Sequence, residues 1–371
     1  MSNPQIVFSR RSRQTPYEQR ALEQGAKAFT IYNHMALSAV YRTPEEDYAH
    51  LVEHVQIWDV AAERQVEVVG PDALALVELI TPRDISQCAI GQCVYAPLVD
   101  ERGGMVNDPL ILRLAENRFW ISIADSDVLL WVMGIAYGRQ MDVKVFEPDV
   151  SPLAIQGPKS DDLMADVIGP EVRNVRFFRF IETQIAGIPV ILARSGWSGQ
   201  GGFEIYLQDS GLGLALWDAI WAKGEAYNIR AGCPNLIERL ETGLLSYGSE
   251  MRLNNNPFEC GLGRFFTLGK KAEYMSREAL DRIAKEGIKQ KIINLAIDGD
   301  PLVAPRSTFD VLDHADKVVG IVTSLAYSRK FATNLSFATV AIDSAAKGTK
   351  LQVVTSQGTR AATVRGSGWK D

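Results

Sequence analysis

At 371 residues, with 46% apolar and 23% charged side chains, the chain is too long for one ordinary core and too balanced for a fibrous or disordered protein, so two or three globular domains are expected. A formal net charge of −6 argues against a nucleic-acid partner, which needs a basic face. The longest uncharged apolar stretch, 128–138, is short for a membrane span, and Arg10, Arg11 and Arg13 precede no apolar run of the signal-peptide kind. The four cysteines, Cys88, Cys93, Cys233 and Cys260, show no CxxC spacing, so zinc-ribbon and thioredoxin sites are excluded and the expectation is free thiols in the cytoplasm.

Taken in chain order, His50 and His54 stand four apart, but no HExxH glutamate and no third ligand accompany them. An ordinary helix surface is expected there, and no metal. Residues 64–69 alternate as a strand, Gly70-Pro71 breaks it, and 72–80 reads as a helix with Ala73, Leu76, Val77 and Ile80 at helical spacing. Segments 93–99, 105–114 and 118–124 read as an antiparallel meander, followed by a helix over 125–137. The strand–break–helix pattern returns at 152–156, Gly157-Pro158 and 159–168. This implies a diverged duplication of one α+β unit, beginning near 64 and near 151. Two similar halves facing each other would leave a cleft for a ligand. Helices are expected near 211–227 and 234–247, with Pro234 in a first turn, and Ser276 should cap a helix through 283. From about 289 the texture changes to short strands (292–297, 318–324, 336–342, 351–354, 361–364) between turn residues, which implies a small all-β barrel. The domain division expected is 1–285 and 286–371.

Phosphate loops of the GxxxxGK[ST] kind, strand-borne GxGxxG and the G-x-S-x-G elbow are absent. What remains are polar residues on strand faces beside glycine turns: Tyr95, Asn107, Asp108, Ser122, Glu204 and Tyr206. The glycine-rich loop at 194–202 runs straight into a strand. Alternation sends Glu204 and Tyr206 to one face, and Phe203, Ile205 and Leu207 to the other. A carboxylate can accept two parallel hydrogen bonds from a flat N–H/NH2 edge, such as that of a pterin or a guanine. The plainer alternative is a hairpin with a solvated glutamate.

The run Gly103-Gly104-Met105-Val106-Asn107-Asp108 resembles the GG-φ-φ-D-D motif of the folate-dependent aminomethyltransferases, the glycine cleavage T proteins. The loop from Arg194 to Tyr206 resembles their R-[ST]-G-[YW]-[ST]-G-x-x-G-[FY]-E-I signature. Trp58-Asp59-Val60, Gly70-Pro71-Asp72-Ala73, Thr81-Pro82-Arg83-Asp84, Gln156-Gly157-Pro158, the run 239–244 and the run 276–280 fit the same family in order. Segments 28–35, 63–67, 95–109, 122–129, 147–161, 176–179 and 230–239 are closer to the branch of that family that demethylates dimethylsulfoniopropionate. The resemblance implies an α+β fold of three domains in a ring, with two related α+β domains around a folate channel and a C-terminal β-barrel. It implies tetrahydrofolate as methyl acceptor. It places Tyr95, Asp108, Ser122, Glu204 and Tyr206 at the folate, Tyr32, Met35 and Trp197 at a small sulfonium zwitterion, and Asn107 with Tyr206 at the reacting centre. A homodimer is left open.

Asn107 departs from the motif, where the aminomethyltransferases carry an acid that assists an amine donor. A sulfonium leaves as a neutral thioether and needs no proton carrier, so an amide is tolerable there, and Asn107→Asp is expected to leave the fold intact. The residue that holds the donor's carboxylate is left open among Arg64, Arg194, Arg239 and Arg264, any of which could instead form a structural ion pair. Two alternatives stand beside this reading: a folate-dependent demethylase of a betaine or an N-methyl donor, and a non-catalytic folate-binding protein. The second alternative is disfavoured because 256–263 has Cys260 without the K-G-C-Y-x-G-Q-E pattern of such proteins.

Overall fold

A computed structural model describes residues 9–304, 307–366 and 369. Chain contacts group it into two units. One comprises 9–65, Glu147–Gly196 and Gln200–Pro234; the other comprises Val66–Phe146, Trp197–Gly199 and the residues from Asn235 on.

The first unit is built on a six-stranded sheet in the order Phe180–Ile185, Ile188–Ala193, Gly202–Leu207, Ser151–Gln156, Val55–Asp59, Ile229–Gly232. Neighbours are antiparallel except the last pair, which is parallel. Every residue of the two strands Gly202–Leu207 and Ser151–Gln156 is buried. Their apolar side chains join a core with Leu216, Trp217 and Ile220 of the helix Gly213–Gly224. A hairpin, Ala28–Tyr32 with Met35–Val40, turns through Asn33 and His34, both at positive φ (47° and 64°). That is the mirror-image two-residue turn whose twist suits a hairpin.

In the second unit a five-stranded sheet runs Lys144–Phe146, Gln65–Val69, Arg118–Ser122, Leu110–Ala115, Gln92–Tyr95. The helices Ala73–Leu79 and Val128–Gly138 cover its apolar face. A closed six-stranded barrel follows from Gln290 to Arg365, its interior filled by Leu295, Ile297, Val322, Ala338 and Val353.

Several expectations are corrected. The meander is interrupted: Leu98–Val99 and Met105–Asn107 form a separate two-stranded ribbon. Pro97 and Pro109 lie at the breaks, where a proline has no N–H to give the ladder. The helix expected over 234–247 spans only Leu236–Thr242. Asn235 is its N-cap, accepting from Ile237 N and Glu238 N, and Gly243 ends it in the left-handed region. Ser276 stands at the N-cap of Arg277–Glu286, but its hydroxyl makes no cap bond. The barrel contains a strand not expected, Phe309–Leu312, and the segment 28–35, expected only as a motif, forms the first strand and the turn of the hairpin. His50 is not on an exposed helix surface. It is 5% exposed, its Nε2 lies 2.8 Å from the Asn228 carbonyl oxygen, and burial depresses its pKa to about 4.

Candidate functional site

In the first unit the signature loop does one local job: it lets two backbones close on each other. Gly202 has φ +148°, and a Cβ there would sit 2.1 Å from the Ile155 carbonyl oxygen. Gly196 has φ +157° and lies flat against the Gln156 carboxamide. Only glycine allows both approaches. The strand Gly202–Leu207 then places Glu204 opposite Ala154 on one side and Ala193 on the other. Both are small, so the carboxylate has room above the sheet.

Glu204 is 7% exposed, so the solvated-glutamate alternative does not hold. Its Oε2 accepts hydrogen bonds from the Ser195 hydroxyl and, at 3.2 Å, from the Tyr206 hydroxyl. Oε1 accepts none. Burial raises the Glu204 pKa, and the two hydroxyls act to lower it. The arrangement holds one carboxylate oxygen and leaves the other to receive an N–H donor. Ser195 is the residue sequence reasoning passed over: it lies inside the quoted signature, and its hydroxyl sits nine residues before its acceptor.

Tyr32 and Met35 face each other across the hairpin turn and pack with Leu37 and Ala62. Arg64 and Arg194 of the same unit are in ion pairs, with Glu147 and with Asp161.

In the second unit Tyr95 and Ser122 flank Leu110 on one rung of three adjacent strands. Directly paired residues project to the same face, so both side chains rise from one side of the sheet. The Tyr95 hydroxyl donates to Asp108 Oδ2 at 2.8 Å, and Phe265 packs edge-on against its ring. Burial lifts the Asp108 carboxyl to about 7 against the lowering effect of that bond, and lifts the Tyr95 phenol well above its ordinary value.

Asn107 is fully buried, and its carboxamide is engaged on both sides. Nδ2 donates to the Ala124 carbonyl at 3.1 Å and to Ser126 Oγ at 2.8 Å; Oδ1 accepts from Ala124 N at 3.1 Å. It clamps the ribbon to the segment after the strand Arg118–Ser122. The expectation for Asn107→Asp changes accordingly, because a carboxylate oxygen would face the Ala124 carbonyl. Trp197 belongs to this unit, and the Arg239 guanidinium lies 5.9 Å from its ring centroid. Arg239 is itself buried and paired with Glu250, which is why it reads as structural. Arg264 stacks on Phe265 at 4.7 Å.

Among the described residues no group of three His, Cys, Asp or Glu side chains could hold a metal ion, and no helix is long and apolar enough to cross a membrane. The chemistry on offer is hydrogen bonding to a flat heterocycle. Glu204 Oε1 suits a pterin's N–H edge, and Tyr95 and Ser122 offer hydroxyls on one face.

Comparison with known proteins gives the family. Residues 17–270 match the GCVT N-terminal domain, and residues 290–368 match the glycine cleavage T-protein C-terminal barrel domain. Dimethylsulfoniopropionate demethylase DmdA of Ruegeria pomeroyi is 48% identical over 98% of this chain and 99% of its own. An aminomethyltransferase of Symbiobacterium thermophilum is 28% identical over 92% of this chain and 93% of its own. The crystal structure of the glycine cleavage system aminomethyltransferase T of Bartonella henselae superposes with a TM-score of 0.86 over 96% of this chain and 98% of its own, at 23% identity, and shows the same fold. The chain belongs to the glycine cleavage T-protein family of aminomethyltransferases.

Proposed function

We propose that the protein is a methyltransferase that demethylates dimethylsulfoniopropionate, giving methylmercaptopropionate and 5-methyltetrahydrofolate. The observation that carries the reading is the 48% identity, end to end, with the Ruegeria pomeroyi demethylase. The open oxygen of Glu204 supports tetrahydrofolate as the acceptor.

Tetrahydrofolate, when bound, supplies the nucleophilic nitrogen N5. The roles of the protein are positional. Glu204 receives the pterin N–H edge through Oε1, while Ser195 and Tyr206 keep Oε2 from turning. Tyr95 and Ser122 orient the folate from their shared face. Asp108 holds the Tyr95 hydroxyl. Tyr32, Met35 and Trp197 shape the donor's surroundings, where aromatic faces attract an onium charge. As the methyl–sulfur bond breaks, its electrons return to sulfur, so a neutral thioether leaves without taking up a proton, and the hydrogen on N5, made acidic as that nitrogen takes the methyl, is released to solvent as a proton. Alignment is then the main requirement. Asn107 fits this chemistry. Its amide carries no titratable proton, and both ends of it are committed to Ala124 and Ser126. An amine donor would need an acid that this position does not supply. A cytoplasmic location and a homodimer belong to the same proposal; sedimentation of the purified protein tests the second.

The test of the anchor is Glu204→Ala. Loss of a charge-assisted donor–acceptor set should weaken folate binding by about a hundredfold or more, measured by calorimetry. Wild-type affinity in the variant would remove Glu204 from the site.

A further inference from the structure

We infer that a cavity in the first unit, walled by Arg13 and Arg64, takes the carboxylate end of the methyl donor. The inference rests on the reading of the donor as a sulfonium zwitterion. The cavity is about 320 Å³, and Thr15, Met35, Asp149 and Ser210 also line it.

The walls are tied together by hydrogen bonds to backbone carbonyls. Arg13 N donates to the His34 carbonyl at 2.7 Å, and Asn33 Nδ2 donates to the Ala62 carbonyl at 2.9 Å. The N-terminal segment, the tip of the Met35 hairpin and the stretch leading to Arg64 are therefore joined by hydrogen bonds. Both guanidiniums converge on a single carboxylate, Glu147. Two positive charges share the one carboxylate of Glu147, and Asp149, which also lines the cavity, pairs with neither.

Arg64 is the informative side chain. It is only 7% exposed, yet Glu147 takes just its Nη2. Its Nε is buried without a hydrogen-bond partner. A guanidinium has five donors in a fixed fork suited to a carboxylate, and burying one with donors unused is costly. Nη1 takes part in no hydrogen bond among the described residues and is not enclosed as Nε is, so an incoming carboxylate beside Glu147 would be received there. Asp149 stands on the same cavity and has no ion-pair partner among the described residues, where it accepts from Ser210 N and Oγ, each at 3.2 Å. A simple anion would be repelled by Asp149, and a simple cation by the two arginines. A molecule with a carboxylate at one end and an onium charge at the other meets complementary groups at both ends. Met35 adds an apolar thioether wall.

The experiment is calorimetric titration of the full-length protein with dimethylsulfoniopropionate and with its methyl ester, which keeps the sulfonium and loses the carboxylate. Wild type should bind the zwitterion at least about tenfold more tightly than the ester. Arg64→Met and Arg13→Met should each erase most of that preference and leave the ester's affinity unchanged. Arg13 has a side chain 43% exposed, so its variant tests the site even if Arg64→Met fails to fold. Equal affinity for zwitterion and ester, or variants within twofold of wild type, overturns the inference. Methyl transfer followed in parallel separates the two ideas. Transfer with arginine-independent affinity removes the carboxylate site and leaves the reaction standing. Arginine-dependent binding of the zwitterion without transfer to tetrahydrofolate leaves the site standing and removes the reaction.

Discussion

Replacing Ser195 with alanine removes one of the two hydroxyl donors on Glu204 Oε2 and nothing else of comparable polarity. Burial already raises the Glu204 carboxyl, while the hydroxyls favour its ionised form. The variant's pKa must therefore rise further. A hydrogen bond to a charged group is worth about 1.5–3 kcal/mol, and the variant loses it from the ionised form, so the carboxyl titrates at higher pH than in the wild type. A pterin N–H edge needs an acceptor, so folate affinity falls as pH drops through the Glu204 pKa. In Ser195→Ala that fall begins at higher pH. Well above it the difference between the two proteins narrows to the loss of one of the two hydroxyls that orient Oε2, because the carboxylate is ionised in both. The assay is fluorescence or calorimetric titration with 5-formyltetrahydrofolate, a stable analogue, between about pH 5 and about pH 9. An acid limb that does not move refutes the reasoning. So does a loss of affinity equal at every pH, which would mean that Ser195 serves the fold and not the charge of Glu204.

Three further outcomes follow from the same geometry. Asp108 is held up to about 7, against an ordinary 3.8, chiefly by burial. The folded state therefore retains a proton that the unfolded state has lost in that window. The resulting penalty is absent below about pH 4 and full above about pH 7. Asp108→Asn should raise the Tm near pH 8 by an amount on the order of 2 kcal/mol in stability and hardly at all near pH 4, and a gain independent of pH would contradict this. Asn107→Asp sets a carboxylate oxygen against the Ala124 carbonyl and should cost about 2 kcal/mol by urea denaturation, whereas Asn107→Ala, which only leaves the Ala124 groups unpaired, gives the comparison value. Gly202→Ala puts a methyl within 2.1 Å of Ile155 O at φ +148°. It should destabilise by more than about 3 kcal/mol and be evident as a lowered Tm.

Much of this was legible in the sequence because chemistry and periodicity agreed. The glycine loop running into Phe203-Glu204-Ile205-Tyr206 announced both a close backbone approach and a polar strand face, and both are present. The alternating strands after 289 announced the barrel. Other features depend on contacts that no local pattern encodes. Ser195 is legible as a motif position, but its bond to Glu204 exists only once two antiparallel strands pair. The strand Phe309–Leu312 is four residues long and follows a proline-containing stretch, so it carries little periodic signal. The turn at Asn33-His34 lacks the glycine that marks most such hairpins. Asn107 read as a departure from a catalytic acid; that its amide also clamps Ala124 and Ser126 depends on residues seventeen and nineteen positions away.

The central claim is the identity of the methyl donor. Purified protein incubated with tetrahydrofolate and, in parallel, dimethylsulfoniopropionate, glycine betaine or dimethylglycine gives the answer by chromatography of 5-methyltetrahydrofolate. The account predicts product from the sulfonium alone, with methylmercaptopropionate formed in equal amount. Product from a nitrogen donor, or none from the sulfonium, would contradict it.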